Sequence, residues 1–146
     1  MDAAFVHKAV EDGDRVVNPL HMRVLARAES AEEVRAVLRG WLAGRVDERR
    51  MGDVELVVTE LLTNSVRHAG LAADDVVRVR ATEDGDVLHL EVEDDGRAGG
   101  APRRRVPDML KGGIGLNLVD AVALHWGVER DDRTLVWADL SLTPGR

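Results

Sequence analysis

Apolar residues change their spacing several times along this chain, and each change marks an element. Between residues 22 and 26, Met-Arg-Val-Leu-Ala predicts a short strand. From Ser30 the spacing turns helical, with Val34, Val37, Leu38, Trp41 and Leu42 on one face. Ser30, with Glu33 three residues on, predicts a capping box at the start of that helix, and Gly44 predicts its end. A second stripe, Val54, Val58, Leu61, Leu62 and Val66, predicts a helix from about Glu48 to Ala69, stopped by Gly70. The period then drops to strand alternation over residues 76–82 and 87–93, and Asp84-Gly85 between them predicts a hairpin. Gly and Pro fill a loop over residues 96–113. A third helix is predicted from near Leu116 to near Trp126-Gly127, and a last strand from Thr134 to Leu140 after an Asp131-Asp132 turn.

That order predicts an α+β fold: a two-layer α/β sandwich with helices on one face of a mostly antiparallel sheet. Residues 1–20 have weak periodicity and read as an N-terminal arm, outside a single domain over residues 21–146.

Composition narrows the classes of function. Of the 146 residues 45% are hydrophobic and only 3% aromatic, so the core must be built from Val, Leu and Ala. There is no cysteine, which removes disulfide and thiolate chemistry. The start of the chain lacks a basic segment followed by an apolar one, and no long apolar run occurs, so a cytoplasmic protein without a membrane span is expected. A net charge of −7 argues against direct contact with nucleic acid or anionic lipid. Arg103-Arg104-Arg105 is a local exception, and a solvated loop is its ordinary reading. The histidines lack metal-ligand spacing. His89 alternates with Leu88 and Leu90, so it should face solvent or a partner.

The second helix carries the first chemical signal. Glu60 and Asn64 are one helical step apart and border the apolar stripe. Asn is a poor residue inside a helix, because its side chain competes with the backbone for hydrogen bonds. An Asn carbonyl can ligate Mg2+, and a carboxylate four residues earlier can take a proton from a nearby hydroxyl. Alone, such a pair is an ordinary feature of a solvated helix edge.

Two glycine segments add to it. Asp94, at a strand end, can accept a hydrogen bond from an exocyclic amine, and Gly96 behind it lets a ring approach the backbone. An Asp- and Gly-rich turn has the same composition. Gly113 and Gly115 open a helix, where free backbone N–H groups attract phosphate. The first segment is not an EF-hand loop, since Pro102 stands where its Glu would be, and the second is neither a Rossmann fingerprint nor a P-loop.

The three segments together, in this order, resemble the GHKL ATPase superfamily with its Bergerat fold. Glu60-x-x-x-Asn64 resembles its N box, Asp94-x-Gly96 the first glycine box, and Gly113-x-Gly115-Leu116-x-x-Val119 the second. The stretch from Val57 to Gly70, with Gly115 to Asp120, Trp126-Gly127-Val128 and Val136-Trp137-Ala138, is similar to anti-sigma-factor serine kinases of the SpoIIAB and RsbW type, which are abundant in actinobacteria. The resemblance covers about residues 22–142.

It implies an ATP- and Mg2+-binding serine/threonine kinase that phosphorylates a STAS-domain anti-anti-sigma protein, binds a sigma factor, and forms a homodimer. It makes Glu60 the general base and Asn64 the magnesium ligand. Asp94 and Gly96 would hold adenine; Gly113, Gly115 and Leu116 would meet phosphate; Arg97 to Gly112 would be a lid over the nucleotide, where Arg103–Arg105 could face phosphate. One position departs from the pattern. Asp-x-Gly-x-Gly is usual in the first glycine box, and here Ala98 holds the second glycine position, with Gly99 and Gly100 following. A nucleotide-gated binding module without phosphate transfer is therefore the alternative.

Overall fold

The computed structural model describes residues 5–8, 19–68, 72, 74–94, 114–130 and 133–143. Their strands form one sheet: β1 (Phe5–Lys8), β2 (Leu20–Leu25), β3 (Val76–Asp84), β4 (Val87–Asp94), β5 (His125–Arg130) and β6 (Thr134–Ser141). The order across the sheet is β1-β2-β3-β4-β6-β5, and every neighbouring pair is antiparallel. Helices α1 (Ser30–Leu42), α2 (Glu48–His68) and α3 (Ile114–Val122) complete the described elements.

Strand alternation explains why the helices share one face. Leu20, Met22 and Val24 of β2, Val77, Val79 and Ala81 of β3, Leu88, Leu90 and Val92 of β4, and Val136, Ala138 and Leu140 of β6 are all buried. They meet Val34, Leu38 and Leu42 of α1, and Val54, Val57, Val58, Leu61 and Leu62 of α2. The residues between them in sequence form an open, polar face, including Arg23, Arg78, Arg80, Glu91 and Asp139. This is the expected α+β two-layer sandwich.

Four local readings change. Residues 5–8 lie in the segment read as an arm, yet they pair with β2 from Phe5↔Arg23 to Lys8↔Leu20 as an edge strand. Ser30 does not cap α1. The residue before the helix is Glu29, without a side-chain cap. A run of i→i−3 backbone bonds from Ser30, Ala31 and Glu32 already occupies the donors a cap would satisfy. The Ser30 hydroxyl instead donates to the Leu25 carbonyl at 2.7 Å, tying α1 to the end of β2. The hairpin turn sits one residue later than Asp84-Gly85. Asp84 pairs with Val87, so Gly85 and Asp86 form the loop. Gly85 alone has positive φ (62°), which fits a type II′ turn with glycine first.

The largest difference concerns the third helix, which ends at Val122 rather than near Trp126-Gly127. Ala123 N–H still bonds to the Val119 carbonyl at 2.8 Å, but Leu124 N–H goes to the Asp139 carbonyl, also at 2.8 Å. The β6 ladder captures the chain there and turns residues 125–130 into a strand. Gly127 lies opposite Trp137, and a Cβ at Gly127 would meet the indole at 2.8 Å. What reads as a helix stop is the space an aromatic ring needs. The Gly70 stop and the Asp131-Asp132 turn lie outside the described residues.

Candidate functional site

Helix α2 starts where Asp47 caps it, its Oδ1 accepting the Arg50 N–H at 2.8 Å. Arg50 Nε also donates to the Thr143 carbonyl at 2.9 Å, which pins this end of α2 beyond the C-terminus of β6. The helix then runs back over β4 and β6 and packs against α3. Its later half, with Glu60 and Asn64, heads toward the end of the sheet where β4 finishes at Asp94 and β6 begins at Thr134. Helix α1 braces this course: Arg35 Nη1 donates to Thr59 Oγ1 at 3.0 Å, and Arg39 reaches both Glu48 and Glu55. Those two carboxylates raise the Arg39 pKa, which keeps the guanidinium charged.

Asn64 is buried at 5% exposure, while Glu60 is half-buried. The Asn64 amide nitrogen donates to the Glu60 carbonyl at 2.8 Å. That bond ties the amide nitrogen to the preceding turn and leaves Oδ1 as the acceptor end, the atom a hard cation would take. An Asn inside a helix is thus accommodated by its own preceding turn.

At the sheet end, two polar residues interrupt an apolar layer. Asp94 and Thr134 are both fully buried. The Thr134 backbone N–H donates to Asp94 Oδ2 at 3.3 Å. The Thr134 hydroxyl is buried without a hydrogen-bond partner among the described residues, and so is that of Ser65, next to Asn64. An unsatisfied buried hydroxyl costs about 1–3 kcal/mol, so that of Thr134, beside the buried Asp94 carboxylate, points to a polar ligand or ordered water. Sequence reading singled out Asp94 and Asn64 and passed over Thr134 and Ser65. Hydroxyl residues are frequent in strands and helices, and only burial marks these two.

The N-terminus of α3 contains Gly115 and Leu116, so the backbone there is helical as expected, and α3 lies against α2. Gly96, Gly113, Ala98, the Arg97 to Gly112 segment and the Arg103–Arg105 patch lie outside the described residues. Helix α2 thus packs against α3 and against β4 and β6, the two strands whose inner layer includes Asp94 and Thr134. Among the described residues no helix is long and apolar enough to cross a membrane.

Comparison with known proteins agrees with the fold. A family model described as the histidine kinase-like ATPase domain matches residues 24–139. A gliding motility regulatory protein of Myxococcus xanthus is 37% identical over 117 residues, covering 73% of this chain and 14% of that protein. The chain thus corresponds to a small part of that relative's length. The matched region runs from β2 to β6 and includes α2, Asp94 and α3, so the chain belongs to the histidine kinase-like ATPase domain family.

Proposed function

We propose that this chain binds ATP with magnesium on the wall made by α2, the α3 N-terminus and the Asp94–Thr134 end of the sheet. The observation that carries this is the buried Asp94–Thr134 pair, polar groups set into an otherwise apolar layer. The Asp94 carboxylate is suited to accept from an exocyclic amine, and the Thr134 hydroxyl can bond to the same ring edge or to a water on it. Asn64 Oδ1 is a ligand for Mg2+, which when bound neutralises the charge of the phosphates. Gly115 and Leu116 supply backbone N–H groups at the start of α3 for phosphate oxygens.

The finer reading is a regulatory serine/threonine kinase of the anti-sigma type. Glu60 would accept the proton of a serine hydroxyl on a STAS-domain partner as the γ-phosphate transfers to that oxygen and ADP leaves. Its proximity to Asn64 supports that role, and the regulatory name of the Myxococcus xanthus relative supports a regulatory setting. Ala98 favours a second reading, nucleotide-gated binding of a sigma factor or STAS protein without transfer.

Thermal melting with and without Mg-ATP tests the binding. At ligand about 100-fold above Kd, ATP should add about 2.7 kcal/mol of stability. An unchanged melting temperature defeats the proposal. Incubation with labelled ATP and STAS-domain proteins from the same genome separates the finer readings: label on a partner serine supports the kinase, and ATP-dependent binding without label supports the gated module.

A further inference from the structure

The open face of the sheet carries a charged network remote from the nucleotide wall. His89 on β4 lies between two carboxylates: its Nδ1 is 2.5 Å from Asp139 Oδ1, and its Nε2 is 2.9 Å from Glu91 Oε2. Ionised carboxylates only accept hydrogen bonds, and a neutral imidazole has a single N–H. Both contacts are hydrogen bonds only when the ring is an imidazolium. Asp139 has a second imidazole on its other oxygen, His125 Nε2 at 2.8 Å. Trp137 lies beside both rings, with centroids at 5.6 Å and 5.9 Å. Among the described residues no three His, Asp or Glu side chains converge as metal ligands.

Asp139 also holds the exit of α3. Its backbone carbonyl takes the Leu124 N–H at 2.8 Å, where the chain leaves the helix and enters β5. One residue therefore receives His89 and His125 through its side chain and the end of α3 through its backbone. The opposite end of α3 is the turn assigned above to phosphate.

We propose that His89 is a proton-operated clasp on α3: as an imidazolium it holds β4 to Asp139 and so fixes the helix exit, and loss of the proton loosens that exit and weakens nucleotide binding at the other end. The nucleotide half rests on the ATP reading above; the clasp does not. A groove of about 600 Å³ lined by Arg80, Thr82, His89, Leu124 and Asp139, among others, gives solvent access to the ring. The charged and titratable groups around it are Arg80 and Asp84 of β3, Glu91 of β4, His125 of β5 and Asp139 of β6, with His21 of β2 accepting from Arg80 at 3.1 Å. Arg80 lies 3.7 Å from Glu91 and offsets part of its charge. Burial pulls the His89 pKa down, but the hydrogen bonds that the ring donates to Asp139 and Glu91 outweigh it and hold the ring above the ordinary histidine value of 6.5.

Hydrogen exchange of the Leu124 amide, read by NMR without nucleotide at about pH 5.5 and about pH 8.5, tests the clasp on either side of the ordinary histidine value. Corrected for intrinsic rates, protection in the wild type should be clearly lower at the higher pH. In His89→Gln it should be low at both. Equal protection at both pH values in the wild type, or wild-type behaviour in the variant, overturns the clasp. If the variant does not fold, imidazole 15N titration of the wild type decides: the Leu124 amide shift must follow the His89 midpoint, and a different midpoint overturns the proposal. Mg-ATP affinity at the same two pH values tests the coupling, with weaker binding expected at the higher one. A constant Kd while protection changes overturns the coupling. Absence of ATP binding at both pH values, with protection still changing, overturns the nucleotide reading and leaves the clasp standing.

Discussion

The two faces of the sheet are built by opposite rules, and a polar residue means something different on each. On the inner face of the sheet almost every buried position is Val, Leu, Ala or Met, and among the described strand residues Asp94 and Thr134 are the buried polar exceptions. On the open side polar residues are the norm, so Arg78 or Glu93 alone carries no message. Burying a polar group without a partner is costly, whereas an exposed one is solvated at little cost. On the inner face residue type is therefore itself a signal. On the outer face only geometry is, as when two carboxylates grip a single imidazole.

Substitutions on the two faces should show this asymmetry. Leu90→Ala, in the inner layer, should lose about 2–5 kcal/mol in chemical denaturation, because the cavity cannot fully collapse. Its open-face neighbour Glu91→Ala should change stability by no more than about 1 kcal/mol. Similar losses at both sites would break the comparison.

Gly127→Ala sharpens it on the open side. The new methyl would meet the Trp137 indole at 2.8 Å, so the ring or β5 must shift. Overpacking of this kind should cost about 1–3 kcal/mol, and near-UV circular dichroism should show Trp137 displaced.

Thr134→Val separates stability from function on the inner side. Replacing an unsatisfied buried hydroxyl with a methyl of the same shape should leave the free protein as stable or about 1 kcal/mol more stable. The stabilisation by Mg-ATP should shrink in the same melts. A clear loss of stability without ATP would show that the hydroxyl serves the fold.

The smallest effect is the pH dependence carried by His89. Its folded pKa is raised, so its contribution is complete below the unfolded value of about 6.5 and is lost as pH rises through the folded value. Melting curves from about pH 5.5 to 8.5 should show the wild type losing an advantage over His89→Gln as pH increases. An advantage that grows with pH would contradict the network.

Much of this was legible in the chain. The stripe from Val54 to Leu62 announced α2, and the alternation around Asp84-Gly85 announced the β3–β4 hairpin, because both depend on local period. Glu60, Asn64 and Asp94 were found by residue type at unusual places. Strand β5 was hidden: Ala121 to Trp126 continues an apolar helical pattern, and only the β6 ladder, taking up Leu124 N–H, ends it. Ser30 was misread for a related reason, since its hydroxyl donates to the Leu25 carbonyl instead of accepting from the first helical N–H groups.

By itself, then, the sequence determined which residues face the core, the α+β class, and the acid–amide pair on α2, since these follow from period and side-chain chemistry within a few residues. The tertiary structure alone decided that Thr134 lies against Asp94 across 40 residues, that Ser65 is sealed beside Asn64, and that Asp139 binds His89 across 50 residues while holding the exit of α3. Such pairings depend on strand order and register, which are settled by burying the whole inner face at once and leave no mark on any local pattern.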